Sequence, residues 1–299
     1  MVAKYKRLYI VYIGLFIVFV CLYRIYRDLN VKGGIIINLH HGLGNQLFMY
    51  AAALSLKHKY NIPVFLLPDS VGTNTHSSRD YRDIFKGVDK IEYTDLKMIM
   101  ANKFTFPKID IYDYHNEDDI PVENNKYIYI KDYYYQTYDN VKTVISEVRG
   151  VLIPQFKKSY SNLIDTPIST AFIHIRRGDF LTEDEGTRIL PIEYYYKGFD
   201  ILNKVVGITT VYIISDDIEW CKKHKWSTIK NIVYFDDPDE LRTLYLMSQC
   251  KAGAVLSNST FSCWGAFLGA YENMGTVVYP IHGAFLKSLP DDWIGIDPK

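Results

Sequence analysis

The chain has no excess of charge of either sign: 34 Lys and Arg balance 34 Asp and Glu over 299 residues. It therefore lacks the basic surplus of a nucleic-acid-binding surface. Cysteine is scarce, at Cys21, Cys221, Cys250 and Cys263, with no C-x-x-C spacing. That excludes a zinc ribbon and a disulfide framework; Cys250 and Cys263, in apolar surroundings, read as core residues. A dinucleotide fingerprint is missing too. Gly42-Leu43-Gly44 begins one, but its third glycine position holds Leu47, which argues against nicotinamide chemistry. No cluster of His, Asp and Glu suggests a metal site. The only D-x-D, Asp237-Pro238-Asp239, precedes Glu240 and reads as a helix start, with Pro238 at the first helical position and Glu240 three residues after Asp237.

Long apolar runs are also lacking. The best candidate, Leu8–Tyr23, is shorter than the roughly 20 residues that span a bilayer. Lys4, Lys6 and Arg7 precede it, Arg24 and Arg27 follow, and a snorkelling Arg24 extends it to Tyr26. No small-x-small cleavage site follows. The expectation is one uncleaved anchor over residues 8–26, with the N-terminus cytosolic in a type II arrangement.

What is present is strand–helix alternation. Gly34–Leu39 reads as a buried strand, 40–45 as a glycine-bearing turn, 46–59 as a helix with Leu47, Tyr50, Ala51 and Leu54 on one face, and 62–67 as the next strand. This is a βαβ opening. The stretch 71–166 is less regular, with helices near 94–101 and 139–148, a strand over 127–131, and a linker at Asp165-Thr166-Pro167. Beyond it, strands read at 170–175, 209–215, 231–235, 252–257 and 276–280, and helices at 191–205, 217–225, 238–250 and 261–272. Such alternation predicts a parallel, doubly wound sheet, and such sheets bind ligands at the carboxyl ends of their strands.

The polar clusters fall at those ends. Phe172-Ile173-His174-Ile175-Arg176-Arg177-Gly178-Asp179-Phe180 closes one strand. Alternation puts Phe172, His174 and Arg176 on one face. Arg176 then stands at the strand tip, with a planar fork suited to phosphate oxygens. Gly178 lets the chain turn and a ligand approach the backbone. Arg177 is expected to point the other way and pair with an acid such as Asp179. Ile213-Ile214-Ser215-Asp216-Asp217 puts two carboxylates at another tip; either reads the N–H edge of a base, or Asp217 caps the next helix and Asp216 is solvated. Ser257-Asn258-Ser259-Thr260 joins a strand to a helix, either as an anion clamp or as an ordinary hydroxyl cap. Asn258-Ser259-Thr260 also matches the N-glycosylation acceptor pattern, in a cleft poorly suited to a glycan. Asn45-Gln46 sets amides at a helix start, for a ligand or for capping.

Four segments together resemble the inverting α-1,2-fucosyltransferases and their microbial and viral relatives, glycosyltransferase family 11. They are Gly42–Phe48, His174–Phe180, Ile214–Asp217 and Ser257–Ala266. The resemblance implies a GT-B architecture, two Rossmann-like lobes with parallel sheets facing across a cleft. Residues 1–30 would form the tail and anchor, 31–166 an acceptor lobe, and 167–299 a lobe binding GDP-L-fucose. It implies GDP-L-fucose as donor, a galactoside acceptor glycan, no cofactor and no metal. It further implies that His174 and Asp216 hold guanine, that Arg176 holds the diphosphate with Ser259 and Thr260, and that Asn45 faces the donor. Arg177, Asp179 and Gly44 would support the site. Two departures, Cys263-Trp264 where the family often has two tryptophans and Tyr133-Tyr134-Tyr135-Gln136 where it often has Gly-Tyr-aromatic-Gln, bear on the acceptor and linkage. Transfer with another linkage, to another acceptor including protein, or from another GDP-sugar is the alternative, followed by a non-catalytic glycan- or nucleotide-binding membrane protein.

Overall fold

The computed structural model describes residues 33–68, 80–92, 94–97, 109–112, 120, 126–130, 133–161, 163–164, 167–181, 189–204, 207–226, 231–270, 275–281 and 288–299, with 16, 18 and 19. Apart from those last three, the expected anchor at 8–26 lies outside the described residues, as do Asp165 and Thr166 of the expected linker. Among the described residues no helix is long and apolar enough to cross a membrane.

Among the described residues eleven strands build two sheets. The first contains β1 (Gly34–Asn38), β2 (Val64–Leu67), β3 (Asp89–Lys90), β4 (Ile109–Tyr112) and β5 (Tyr127–Ile130), in the order β3-β2-β1-β5-β4. The second contains β6 (Thr170–Ile175), β7 (Thr210–Ser215), β8 (Ile232–Phe235), β9 (Gly253–Val255), β10 (Thr276–Pro280) and β11 (Ile294–Ile296), in the order β11-β10-β9-β6-β7-β8. Every pairing is parallel. Parallel strands are covered on both faces and read as continuous apolar runs. Accordingly β1 and β6 are buried at every position.

The helices are α1 (Leu43–Tyr60), α2 (Tyr138–Lys142), α3 (Ile145–Tyr160), α4 (Ile192–Asn203), α5 (Ile218–Lys222), α6 (Glu240–Gln249) and α7 (Thr260–Ala270). Three differences from expectation have local causes. α1 starts three residues early, because Asn45 and Gln46 both donate backbone N–H to Gly42 O, so Asn45 sits in the first turn rather than at the cap. The helix expected over 139–148 is two helices meeting at Thr143 and Val144. α6 starts at Glu240 with Asp239 as its cap, so Pro238 precedes the helix instead of opening it.

The chain divides into two compact units. One comprises Met1–Leu39, Leu56–Asp69 and Gly87–Tyr133; it carries the five-stranded sheet, with Ile36, Leu67, Ile91, Leu96 and Tyr129 as a core cluster. The other comprises His40–Ser55, Ser70–Lys86 and Tyr134–Lys299 and carries the six-stranded sheet. The sheets change between β5 and β6, whereas the compact units interleave: the first turns of α1 belong with the second sheet. In that second unit, Ala171, Ile173 and Ile175 of β6 pack with Tyr194, Tyr195 and Phe199 of α4 and with Val211 and Ile213 of β7. This is the face opposite Phe172 and His174, as alternation requires. Aromatic edges lock α1 to α7: Phe48 lies 5.2 Å from Trp264 and 6.1 Å from Phe267 between ring centroids. Such pairs add to area burial, and they bring the starts of the two helices together. Cys221, Cys250 and Cys263 are buried and unbridged; burial pushes the Cys221 thiol up to about 11 and that of Cys263 to about 12, consistent with packing roles.

Candidate functional site

A cavity of about 860 Å³ opens in the second unit along the carboxyl ends of β9, β6, β7 and β8. Those strands are neighbours in that order, so the row is about 14 Å long at one strand spacing per step. At the β9 end, Asn258, Ser259 and Thr260 lead into α7, and residues 41–45 at the start of α1 lie beside them. His174 and Arg176 come from β6, Ser215 and Asp216 from β7, and Phe235, Asp236 and Asp237 from β8.

Arg176 is held from two sides. Its Nη2 lies 2.5 Å from Asp179 Oδ1 and its Nη1 2.9 Å from Asp216 Oδ2, and the guanidinium sits 5.7 Å from the Phe180 ring. Arg177 points away, as alternation predicts, but its partner is not the expected Asp179. Its Nε bonds Asp217 Oδ2 at 3.1 Å, and its guanidinium stacks on Trp220 at 4.0 Å. The exchange follows from the short 3-10 turn at Asp179–Leu181, after which Asp179 shares the cavity wall with Arg176. The chain turns at Gly178 as expected, and the glycine has a further reason. A Cβ there would lie 2.7 Å from Asp216 Oδ2, so the missing side chain makes room for the carboxylate that grips Arg176. Asp217 caps α5 through Trp220 N, which leaves Asp216 as the carboxylate lining the cavity.

His174 is buried, with Nδ1 2.7 Å from Ser257 Oγ. Burial pushes its imidazole down to about 4, with Arg176 adding to the effect and Asp216 opposing it. The ring is therefore neutral near pH 7 and presents one donor and one acceptor. Ser262 Oγ accepts from Ser257 N and so fixes the strand-to-helix turn. Asn258 is buried, yet among the described residues neither its Oδ1 nor its Nδ2 has a hydrogen-bond partner. Leaving such a group unpaired costs about 1–3 kcal/mol, and a ligand in the cavity it lines would recover this. A buried Asn258 is also no place for a glycan. Thr243 of α6 lines the cavity too, and its buried Oγ1 has no hydrogen-bond partner among the described residues. Sequence reading named Asn258 only as part of the Ser257–Thr260 cluster and its glycosylation pattern, and it missed Thr243, which only an orphaned polar atom marks.

Asn45 lines the cavity and accepts from Gln136 Nε2 at 2.9 Å. Gly44 needs to be glycine: a Cβ there would lie 2.5 Å from Phe261 N and 2.6 Å from Thr260 Oγ1. Its absence lets the α1 and α7 N-termini meet, and both helix dipoles then favour an anion between them. Asp237 is taken up by Arg242 Nη1 at 2.6 Å and by Asp239 N, while Asp239 caps α6 and accepts from Tyr160. The D-x-D is thus a helix start. Among the described residues no group of three or more His, Cys, Asp or Glu is placed to hold a metal ion.

An anion-favouring row of strand ends on a parallel sheet is an architecture for binding phosphorylated ligands. The chain belongs to glycosyl transferase family 11, whose family model matches residues 11–296. It is 26% identical over 281 residues to the O-antigen biosynthesis glycosyltransferase WbnK of Escherichia coli, covering 79% of this chain and 90% of that one. It is 30% identical over 137 residues to an alpha-1,2-colitosyltransferase of E. coli, 42% of this chain and 47% of the relative. It is 23% identical over 150 residues to the galactoside 2-alpha-L-fucosyltransferase SEC1 of Bos taurus, 44% and 39% respectively. It is thus a family 11 glycosyltransferase resembling fucosyltransferases.

Proposed function

We propose that the protein transfers L-fucose from GDP-L-fucose to a hydroxyl of a galactoside glycan, with inversion and an α-1,2 linkage. The observation that carries this reading is Arg176, whose guanidinium lines the cavity between Asp179 and Asp216, beside the paired starts of α1 and α7. The acceptor oxygen attacks the fucose anomeric carbon from the face opposite GDP. As the C1–O bond breaks, its electron pair leaves with the β-phosphate and the acceptor proton passes to solvent. Charge grows on the diphosphate, where Arg176, Ser259, Thr260 and the α7 N-terminus oppose it. A preorganised donor at such a position is worth about 10²–10³ in rate. His174 and Asp216 would hold guanine, and Asn45 would face the donor sugar. Arg177 positions the loop through Trp220 and Asp217.

A relative named for colitose transfer supports a second reading, in which another GDP-sugar is the donor. Incubating the full-length chain with GDP-fucose or other GDP-sugars and a pool of glycans, then assigning the product linkage by NMR, tests both. Full turnover in EDTA is expected, since the aspartates of the D-x-D are committed to α6 and Arg242; a strict metal requirement would refute this. We further propose residues 8–26 as a type II anchor, in a Golgi-like membrane if the protein acts in a eukaryotic cell. Retention of the chain in alkali-washed membranes tests it.

A further inference from the structure

Two non-glycine residues have left-handed backbone at or next to one wall of the cavity: His41 lines it, and Tyr135 lies between Tyr134 and Gln136, which line it. His41 has φ 62° and Tyr135 has φ 54°. Such conformations are sparsely populated outside glycine and persist where surrounding structure fixes them, often at binding sites. Here Gln46 Nε2 bonds His41 O at 2.8 Å, and Thr137 N bonds Tyr135 O at 2.8 Å. The two bends bring three rings together. Tyr134 lies 4.5 Å from His40 and 5.4 Å from His41, and the histidines are 5.3 Å apart. His40 is buried beneath, while His41 and Tyr134 are half-buried and line the cavity beside Gln136.

Position gives this wall its meaning. Gly44 packs on Thr260 and Phe261, and His41 is three residues earlier, so it lies within about 11 Å of the α7 start. If the diphosphate sits there and at Arg176, the base runs along β7 and β8, and the reacting sugar points toward the His41 turn. The cavity is near the upper end of the usual 300–1,000 Å³ range, with room for a donor and the first residue of an acceptor. Aromatic faces suit the apolar C–H face of a pyranose, and a neighbouring amide suits its hydroxyls.

We propose that His41 and Tyr134 form the acceptor subsite, taking a neutral pyranoside of the galactoside class against their rings, with Gln136 at its hydroxyls. The assignment rests on the transfer reading above. His41→Gly tests it cleanly, because glycine adopts the left-handed backbone without strain and the variant should fold. Acceptor KM for a lactoside should rise about tenfold or more, the equivalent of one stacking contact, while KM for GDP-fucose moves less than twofold. Tyr134→Ala should behave likewise, and Tyr134→Phe should restore most of the loss. Saturation-transfer NMR of methyl β-galactoside with the GDP-bound full-length chain reads the same subsite without turnover. Signal in the parent and its loss in both variants supports the proposal. No signal in the parent, equal signal in both variants, or a matching rise in donor KM overturns it. A parent that binds methyl β-galactoside but transfers no sugar would instead refute the transfer reading.

Discussion

Gly44→Ala should damage stability and donor binding together. The added Cβ would stand 2.5 Å from Phe261 N, 2.6 Å from Thr260 Oγ1 and 2.8 Å from Thr260 C. Two of the three are backbone atoms and cannot swing aside, so the helix starts must part by nearly 1 Å to reach an ordinary 3.4 Å contact. Overpacking of this kind costs about 1–3 kcal/mol. Alanine returns up to about 1 kcal/mol of helix propensity, less in a first turn. The net loss is then about 1–2 kcal/mol, or a Tm lower by several degrees. The functional loss should be larger, since a displacement of about 1 Å at positioned groups can cost 10²-fold in rate. Thermal melts with and without GDP, GDP calorimetry and kcat check this. Gly42→Ala is the control: nothing lies within 4 Å of its Cβ, so only a poorer helix cap is expected, about 1 kcal/mol at most, with GDP affinity intact. Parental Tm and GDP affinity in Gly44→Ala, or equal harm from Gly42→Ala, would refute the reasoning.

Arg176→Lys should lower kcat by about 10²–10³ with little change in Tm, because one ammonium cannot reproduce the fork and a half-exposed ion pair adds little stability. Arg177→Lys should show the reverse balance, losing about 1 kcal/mol of stacking on Trp220 and pairing with Asp217; parallel kinetics and melts of both variants decide it. His174 adds a pH dependence to stability. Its folded pKa of about 4 is below the ordinary 6.5, so the unfolded chain takes the proton first. The contribution is complete above about pH 6.5 and is lost as pH falls toward 4, by about 3 kcal/mol. Urea titrations at pH 7.5 and 4.5 should show that loss in the parent and a smaller one in His174→Gln. Asp179→Asn should tighten GDP binding about three- to tenfold while lowering kcat, measured by calorimetry and initial rates; unchanged affinity would count against a diphosphate at Arg176.

Much of this was legible because parallel strands are covered on both faces and announce themselves as apolar runs. β6, β7, β8 and β10 match their expected spans within a residue or two, and the strand-end placement of His174, Arg176 and Asp216 follows from alternation. Short strands escaped. β3 is two residues, both exposed, β11 has three with Gly295 in the middle, and neither carries an apolar run to read. The pairing of Arg177 was misread because sequence proximity favoured Asp179, whereas the 3-10 turn hands Asp179 to Arg176 and the start of α5 supplies Asp217. Gly178 has a further reason that was not legible, since a carboxylate from a neighbouring strand end is invisible in a local window. His41 and Tyr135 carry no sequence sign of a left-handed backbone, because that conformation is imposed by contacts with Gln46 and Thr137.

If the cavity binds a diphosphate as proposed, the charge around Arg176 gives the helix ends their role. With Asp179 and Asp216 at 2.5 and 2.9 Å, one positive charge faces two negative ones before any diphosphate arrives. Net side-chain charge therefore does not draw the anion in. The two carboxylates instead hold the guanidinium plane, which lowers the ordering cost of the donors the fork still offers. On the proposed reading, the attraction for a diphosphate comes from the N-termini of α1 and α7, each equivalent to about half a positive charge, and from backbone groups that no mobile side chain can withdraw. Their convergence depends on the missing Cβ of Gly44 and on Phe48 packing against Trp264 and Phe267. The aromatic core beneath α1 would in this sense be part of the proposed anion site. It fixes two weak dipoles at a common point, beside an arginine whose plane Asp179 and Asp216 hold for the charge that would grow on the leaving group.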